Sequence, residues 1–473
     1  MTDANQPLLI KNIDTLVTMD EERRVINNAW ILVKGNKIDN IGRSPSPDIE
    51  ASSILDASNH IVIPGLVNTH SHFFQTLLRV VPSAQDLSLW KWLQEIYLPQ
   101  GCLTDEMLNI STRIALSELI LSGCTTSEDH CFLRVNDMDF STEIEAAREM
   151  GVRLHLSRGC RTIRRSKSKD TIVSEDITED EDEVLSNYEY LVKKHHDPNP
   201  CSMTRIDLAP TSLFTVSSRM LERSASLARQ LGVLLHTHCY ESKEEEEFCL
   251  EKYGKRPMQF AADIGWTGPD VWFAHAVHHN EEEISLMGKT KTGVAHCPTA
   301  NMRLASGIAP VRKYIDNGVP VGLGVDGSAA NDSSNLLAEA RMAMLLQRVK
   351  YGADALTATQ ALELATLGGA KVLHRDDIGS IEQGKAADFI SFNMNHLFYA
   401  GGMIDPVAAL IFCQPTQVSF SVINGRKVVD NGQLLGVDLP SLINKHNLLS
   451  KKLIEITEKR YNHDLSTRIW RRL

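Results

Sequence analysis

The sequence predicts an α/β protein: a TIM-type (β/α)8 barrel with a small discontinuous β-sandwich domain contributed by both chain ends. Three observations predict it. Eight short apolar runs recur through the middle of the chain, most of them separated by helical stretches, the pattern of a parallel sheet with helical crossovers. Several of these runs end in His or Asp, at the carboxyl ends of strands where a barrel carries its active site. Short alternating runs with turn residues between them flank this region on both sides, as in an antiparallel β unit.

The small domain is expected over residues 1–63 and 376–435. Residues 8–10, 15–18, 30–33 and 38–41 alternate in hydrophobicity between Asn, Asp and Gly turns. The same texture returns in residues 378–390 and in 418–422 and 427–429, which flank the turn Asn424-Gly425. The barrel is expected over residues 64–375, with strands read at 61–67, 125–128, 153–157, 206–210, 233–238, 271–275, 293–296 and 321–326. Helical stretches lie between most of them, for example 107–121, 217–231 and 281–287. A doubly wound open sheet is the alternative topology, but no Gly-rich nucleotide loop follows the first strand. Residues 436–473 read as a helical tail that packs on its own barrel or on a neighbouring subunit.

A chain of 473 residues suits a large barrel with an accessory domain. With 42% hydrophobic and 23% charged residues it has the composition of a globular protein. The net charge of -11 argues against nucleic acid as a bulk partner. A basic cluster at residues 161–169 runs at once into acidic 175–183 and reads as a solvated loop. The amino terminus lacks the features of a signal peptide, and no apolar run approaches the ~18–20 residues of a membrane helix. Nine cysteines without a CxxC pair read as reduced thiols of a cytoplasmic protein. The expected partner is a small heterocyclic molecule, and the expected assembly a homo-oligomer, a dimer or larger.

The chemistry starts at Ile63-Pro64-Gly65-Leu66-Val67-Asn68-Thr69-His70-Ser71-His72. In an extended strand, residues i and i+2 share a face, so His70 and His72 form half of a metal site. With 17 His in the chain, roughly half an HxH is expected by chance, so the motif needs partners. Taken singly, His275 reads as a core histidine and Asp326 as part of an Asp-Gly turn. Set with His238 at the ends of successive strands, they read as one site. His236 ends the same strand as His238, and spacing does not choose between them. Glu241, just beyond that strand, is placed to face a metal and move protons. Residues 244–247 are also acidic and suit the positive end of a helix. His296 either lines the pocket or packs.

These residues resemble the amidohydrolase superfamily in its cytosine-deaminase-like branch. That branch carries HxH on strand one, HxxE on strand five, His on strand six and Asp on strand eight. The pattern is met by His70, His72, His238, Glu241, His275 and Asp326. The resemblance selects His238 over His236 and extends to Gly384-Lys385-Ala386-Ala387-Asp388. It implies a metal held by His70, His72, His238 and Asp326. Two-metal members carry a lysine at the end of strand four. Here that strand ends Ala209-Pro210-Thr211-Ser212, which implies one divalent ion, zinc first and iron second.

Residues 67–76, 296–308 and 325–335 are similar to the group of 8-oxoguanine deaminases and of hydroxyatrazine and s-triazine hydrolases. Two departures bear on the ring: Thr211 stands where those deaminases carry Cys, and Leu213-Phe214 where guanine deaminases carry Arg-Phe. The implied activity is hydrolytic deamination of an amino-substituted N-heterocycle, 8-oxoguanine or a guanine- or isocytosine-like base. Asp326, Glu241 and His275 are the implied proton-transfer and positioning groups, and Gln75 and Thr211 the readers of the ring. The alternative is an s-triazine amidohydrolase or chlorohydrolase. A non-catalytic scaffold on the same fold is the remote alternative, since such proteins lose ligands.

Overall fold

The computed structural model describes residues 7–48, 51, 53–136, 138–163 and 175–467. Eight parallel strands close into a barrel in chain order. They are β1 (Leu66–Asn68), β2 (Cys124–Cys131), β3 (Arg153–Cys160), β4 (Thr204–Pro210), β5 (Leu235–Cys239), β6 (Val271–His275), β7 (Gly293–His296) and β8 (Val321–Leu323). Each strand read from the sequence is a barrel strand. Pairing of Leu323 with Asn68 closes the ring and removes the open-sheet alternative. Helices cover the outer face, so every residue of β2, β3, β6 and β7 is buried, which explains why the strands read as apolar runs.

Two boundaries differ from the sequence reading. The run 61–67 is split at Pro64-Gly65. His60–Pro64 pairs with Phe389–Asn393 outside the barrel, and only Leu66–Asn68 enters it. Gly65 is the crossing point: a Cβ there would lie 2.0 Å from Thr125 Oγ1. At the other end of the barrel, β8 stops at Leu323, and Asp326–Gly327 pairs separately with Ser71–His72. This short ladder sets the first and last site segments side by side.

The small domain is drawn from both chain ends. Leu8–Val17, read from sequence as two runs, is one strand with a bulge between Ile10 and Ile13, where Asn12 has φ 58°. It lies in a nine-stranded sheet that also holds Val25–Lys34, Lys37–Arg43, His60–Pro64, Phe389–Asn393, Phe420–Ile423 and Arg426–Asp430. Ile13, Leu16, Ile31, Val62, Phe389 and Val422 gather on one face as a core of their own. The hairpin tips at Gly35 and Gly425 meet: a Cβ on Gly425 would lie 2.1 Å from the Gly35 carbonyl oxygen. Three strands separate these hairpins in the sheet, so the sheet curls and its halves face each other as in a sandwich. The hydrogen bonding nevertheless runs through one continuous sheet.

Asp388 joins the two parts. Its carboxylate takes both forks of Arg153, at the start of β3, at 3.0–3.1 Å, and both residues are buried. Its Oδ1 accepts the Asn424 N–H at 2.6 Å, and its carbonyl accepts the Gly65 N–H at 3.1 Å. One residue thus holds the barrel floor, a hairpin of the small sheet and the crossing point.

The C-terminal tail is the helix Leu439–Tyr461, and it packs on its own barrel. His446 Nε2 lies 3.0 Å from Thr76 Oγ1, and Ser450 donates to the Leu77 carbonyl at 2.7 Å. The terminal run 468–473 lies outside the described residues. Among the described residues no helix is long and apolar enough to cross a membrane. All nine cysteines are free thiols.

Two stability outcomes follow. Asp388→Ala leaves the buried Arg153 guanidinium with main-chain acceptors but without its carboxylate, and should cost about 3–5 kcal/mol in denaturant unfolding. Asp388→Asn, which keeps an acceptor, should cost less. The second concerns Glu143, on the helix Ser141–Met150, whose carboxylate lies within 4.8 Å of that of Asp129 on β2. Burial pushes Glu143 up to about 7. A folded-state pKa above the unfolded one means stability is fully present below about pH 4.5 and is lost as pH rises through 7. Thermal melts from pH 5 to 8 should therefore show stability falling with pH in the parent and falling less steeply in Glu143→Gln.

Candidate active site

The carboxyl ends of the barrel strands bring His70, His72, His238, His275, Asp326 and Glu241 to one pocket. The imidazoles are oriented by their ring hydrogens. His72 Nδ1 donates to the His130 carbonyl at 2.8 Å, and His238 Nδ1 to the Thr211 carbonyl at 2.6 Å. His236 Nδ1 donates to the Trp272 carbonyl at 3.0 Å, which leaves its Nε2 to accept from His70 Nδ1 at 2.9 Å. The Nε2 atoms of His70, His72 and His238 therefore all carry bare lone pairs.

These lone pairs converge. His72 Nε2 and His238 Nε2 are 3.3 Å apart, and Asp326 Oδ1 lies 3.5 Å from the Nε2 atoms of both His70 and His72. His70 Nε2 is buried with no hydrogen-bond partner. Burial pushes the His70 and His238 rings well below the usual imidazole range and His72 down to about 4, so they stay neutral at pH 7. Lone pairs facing one another without a shared proton repel. A divalent cation between them removes the conflict, so this donor set fits a metal. His236, the rival to His238 in the sequence, is instead the residue that orients His70.

Glu241 and His275 sit beside this cluster. His275 Nδ1 donates to Asn301 Oδ1 at 2.9 Å, and its Nε2 lies 3.6 Å from Glu241 Oε2 and 3.9 Å from Asp326 Oδ2. Burial opposes protonation of His275, but the charges of Glu241 and Asp326 outweigh it and raise its pKa. Burial pushes Glu241 up to about 7, with Asp326 adding and His275 opposing. Asp326 and His275 have φ of 59° and 70°, left-handed values that strain a non-glycine residue.

Gln75 lines the pocket from the turn Phe73–Leu78, and its Oε1 accepts the Ala329 N–H at 3.3 Å, leaving the side-chain NH2 as a donor. Thr211 also lines the pocket, but its hydroxyl donates to the Cys160 carbonyl at 2.8 Å. Towards a ligand it has only an accepting lone pair. His296 is buried and is not among the lining residues.

Several contributors escaped sequence reading. His130 lies in the same cluster as His70, His72 and His238, with its Nε2 donating to the Ala209 carbonyl at 2.7 Å. It is the last residue but one of β2, two residues beyond the run read there. Glu245, one of the acids that the sequence assigns to a helix start, is buried in the pocket wall, and its Oε2 accepts the Glu241 N–H at 3.1 Å. Arg161, taken as the first residue of a solvated basic loop, is fully buried. It stacks over Tyr97 at 4.1 Å and Phe132 at 4.3 Å. Residues 164–169 of that loop lie outside the described residues.

Comparison with known proteins agrees with this geometry. The model of the amidohydrolase family matches residues 61–435. The chain is 38% identical to an 8-oxoguanine deaminase of Pseudomonas aeruginosa over 90% of its own length and 94% of the relative. It is 34% identical to an isoxanthopterin deaminase of an unknown prokaryotic organism, over 93% and 96% respectively. The solved structure of an atrazine chlorohydrolase from Arthrobacter aurescens TC1 complexed with zinc superposes with a TM-score of 0.88 at 30% identity, covering 94% of this chain and 100% of that one. The chain belongs to the amidohydrolase family, and it is a hydrolase of that family.

Proposed function

We propose that this chain is a metal-dependent hydrolytic deaminase of an amino-substituted N-heterocycle. Its substrate is 8-oxoguanine or a guanine-like base, and its metal is one zinc ion held by His70, His72, His238 and Asp326. The observation that carries the reading is the pair of unlike carboxylates around His275. Asp326 belongs to the converging ligand set, while Glu241 is buried beside it with its pKa pushed up to about 7. Paired groups with divergent environments divide acid and base roles.

A bound divalent ion supplies Lewis acidity and lowers the pKa of a coordinated water towards ~7. Asp326 takes a proton from the attacking water. Glu241, protonated, gives its proton to the ring nitrogen beside the amino-bearing carbon, so the ring takes up the oxygen without a full negative charge. His275, held by Asn301, hydrogen-bonds that oxygen. Asp326 then returns its proton to the amine, which leaves as ammonia, and Glu241 regains a proton as the new hydroxyl becomes the ring carbonyl. The NH2 of Gln75 is free to donate to an acceptor of the ring, and Thr211 to accept from an N–H. The fused-ring substrates named for the 38% and 34% identical relatives support a bicyclic base.

The s-triazine reading draws on the atrazine chlorohydrolase structure. Ammonia release from 8-oxoguanine, guanine, isocytosine, melamine and hydroxyatrazine separates the two. Turnover confined to the triazines overturns the purine reading, and a purified chain without tight metal points to a scaffold.

Three variants test the roles. Glu241→Gln should keep its metal and lose ~100-fold or more in rate, the size of general acid–base help. His238→Ala should lose the metal. His236→Leu, which frees the ring of His70, should weaken metal affinity by roughly 10–100-fold in chelator competition.

A further inference from the structure

Gln100 ends the helix α1 (Leu89–Gln100), which walls the pocket with Leu89, Trp92 and Tyr97. The Gln100 side chain is fully buried, lines the pocket, and has no hydrogen-bond partner for either Oε1 or Nε2. Behind the same wall lies Arg161. Tyr97 and Phe132, which it stacks on, both line the pocket, yet Nε, Nη1 and Nη2 of Arg161 are buried without a hydrogen-bond partner. Buried amides and guanidinium groups are almost always paired, and an unpaired one costs the full desolvation of the group. Here, among the described residues, six polar atoms on one wall, Trp92 Nε1 included, go without partners. Water or a ligand must satisfy them, and Gln100 opens onto the substrate pocket.

We propose that Gln100 is a specificity-determining residue that reads an adjacent N–H and C=O on the substrate ring, with the positive charge of Arg161 favouring the oxygen. This rests on the purine reading above and deepens it. An amide side chain pairs with a cyclic amide edge through two hydrogen bonds, its Nε2 donating to the ring carbonyl and its Oε1 accepting from the ring N–H. The edge meant is N7–H and C8=O in the five-membered ring of 8-oxoguanine; guanine has a C–H at C8 and carries its own amide edge, N1–H and C6=O, on the six-membered ring, so at this position only the oxidised base completes the pair. The unopposed cation behind Tyr97 and Phe132 adds to the preference for the partial negative charge on oxygen. The groups on this wall come from α1 and from the residue after β3, separate from the strand ends that bear the proton-transfer groups.

The test measures binding apart from chemistry. Metal-loaded Glu241→Gln protein is titrated with 8-oxoguanine and with guanine by calorimetry, then again with Gln100→Leu or Arg161→Met added. Wild-type turnover of both bases is measured by ammonia release in parallel. The expected result is tighter binding of 8-oxoguanine, and an about 10-fold loss of that preference in Gln100→Leu through the oxidised base alone. Arg161→Met should reduce the preference while raising the melting temperature, because it deletes an unpaired buried charge. Absence of a preference, or one unchanged in Gln100→Leu, overturns the contact. A preference unchanged in Arg161→Met overturns the role of the charge. Failure of wild-type protein to deaminate either base, with the binding preference intact, overturns the deaminase reading and leaves the recognition by Gln100 standing.

Discussion

Three ring hydrogens donated away from the pocket centre govern the rest of the site. His72 and His238 give theirs to main-chain carbonyls of neighbouring strand ends, and His70 gives its own to His236, which is itself fixed by the Trp272 carbonyl. A ring that donates from Nδ1 has no choice at Nε2. Backbone carbonyls of a closed barrel are rigid acceptors, so the tautomers are set by the fold. The neutral state of these rings at pH 7 follows from the same burial.

That arrangement explains where strain is tolerated. Asp326 must reach the Nε2 cluster from a strand that has ended at Leu323, and it does so with a left-handed backbone pinned by pairing of Asp326–Gly327 with Ser71–His72. Asn68 adds to the hold: its Oδ1 accepts the Val325 N–H at 2.9 Å and its Nδ2 donates to Ser127 at 3.0 Å. The segment that supplies the first two histidines therefore also positions the last carboxylate.

The barrel was legible because strands buried on both faces leave apolar runs at regular intervals, and the candidate ligands because their chemistry is rare at strand ends. What sequence could not show is which polar residues are buried. His236 and His238 both donate from Nδ1 to a carbonyl and differ in what their Nε2 atoms meet, the His70 ring hydrogen or the bare lone pair of His72, and nothing local encodes that. Glu245 sits beside Glu244, Glu246 and Glu247 and differs from these three only in facing inward. Arg161 begins a basic run, and composition there speaks for solvent. The split of the first strand at Gly65 was hidden for a similar reason, since both halves are apolar and only the closeness of Thr125 shows where one sheet yields to another.

Most of the groups hidden in the sequence share a location. The metal ligands and proton-transfer groups proposed above stand at or just beyond the barrel strand ends. Gln100, Glu245 and Arg161 stand on the segments that follow β1, β5 and β3, and only His130 among the hidden groups named above stands within a strand, β2. Such connections change with little effect on the strands, so one set of strand-end residues can serve different rings. Relatives at 38% and 34% identity bear the names of deaminases of different bicycles, and a structure at 30% identity that of a triazine chlorohydrolase. Identity over the whole chain weighs the framework heavily and the pocket wall hardly at all. We therefore assign the choice of ring to buried side chains of the pocket wall, Gln100 first among them, whose hydrogen bonds the protein does not complete by itself.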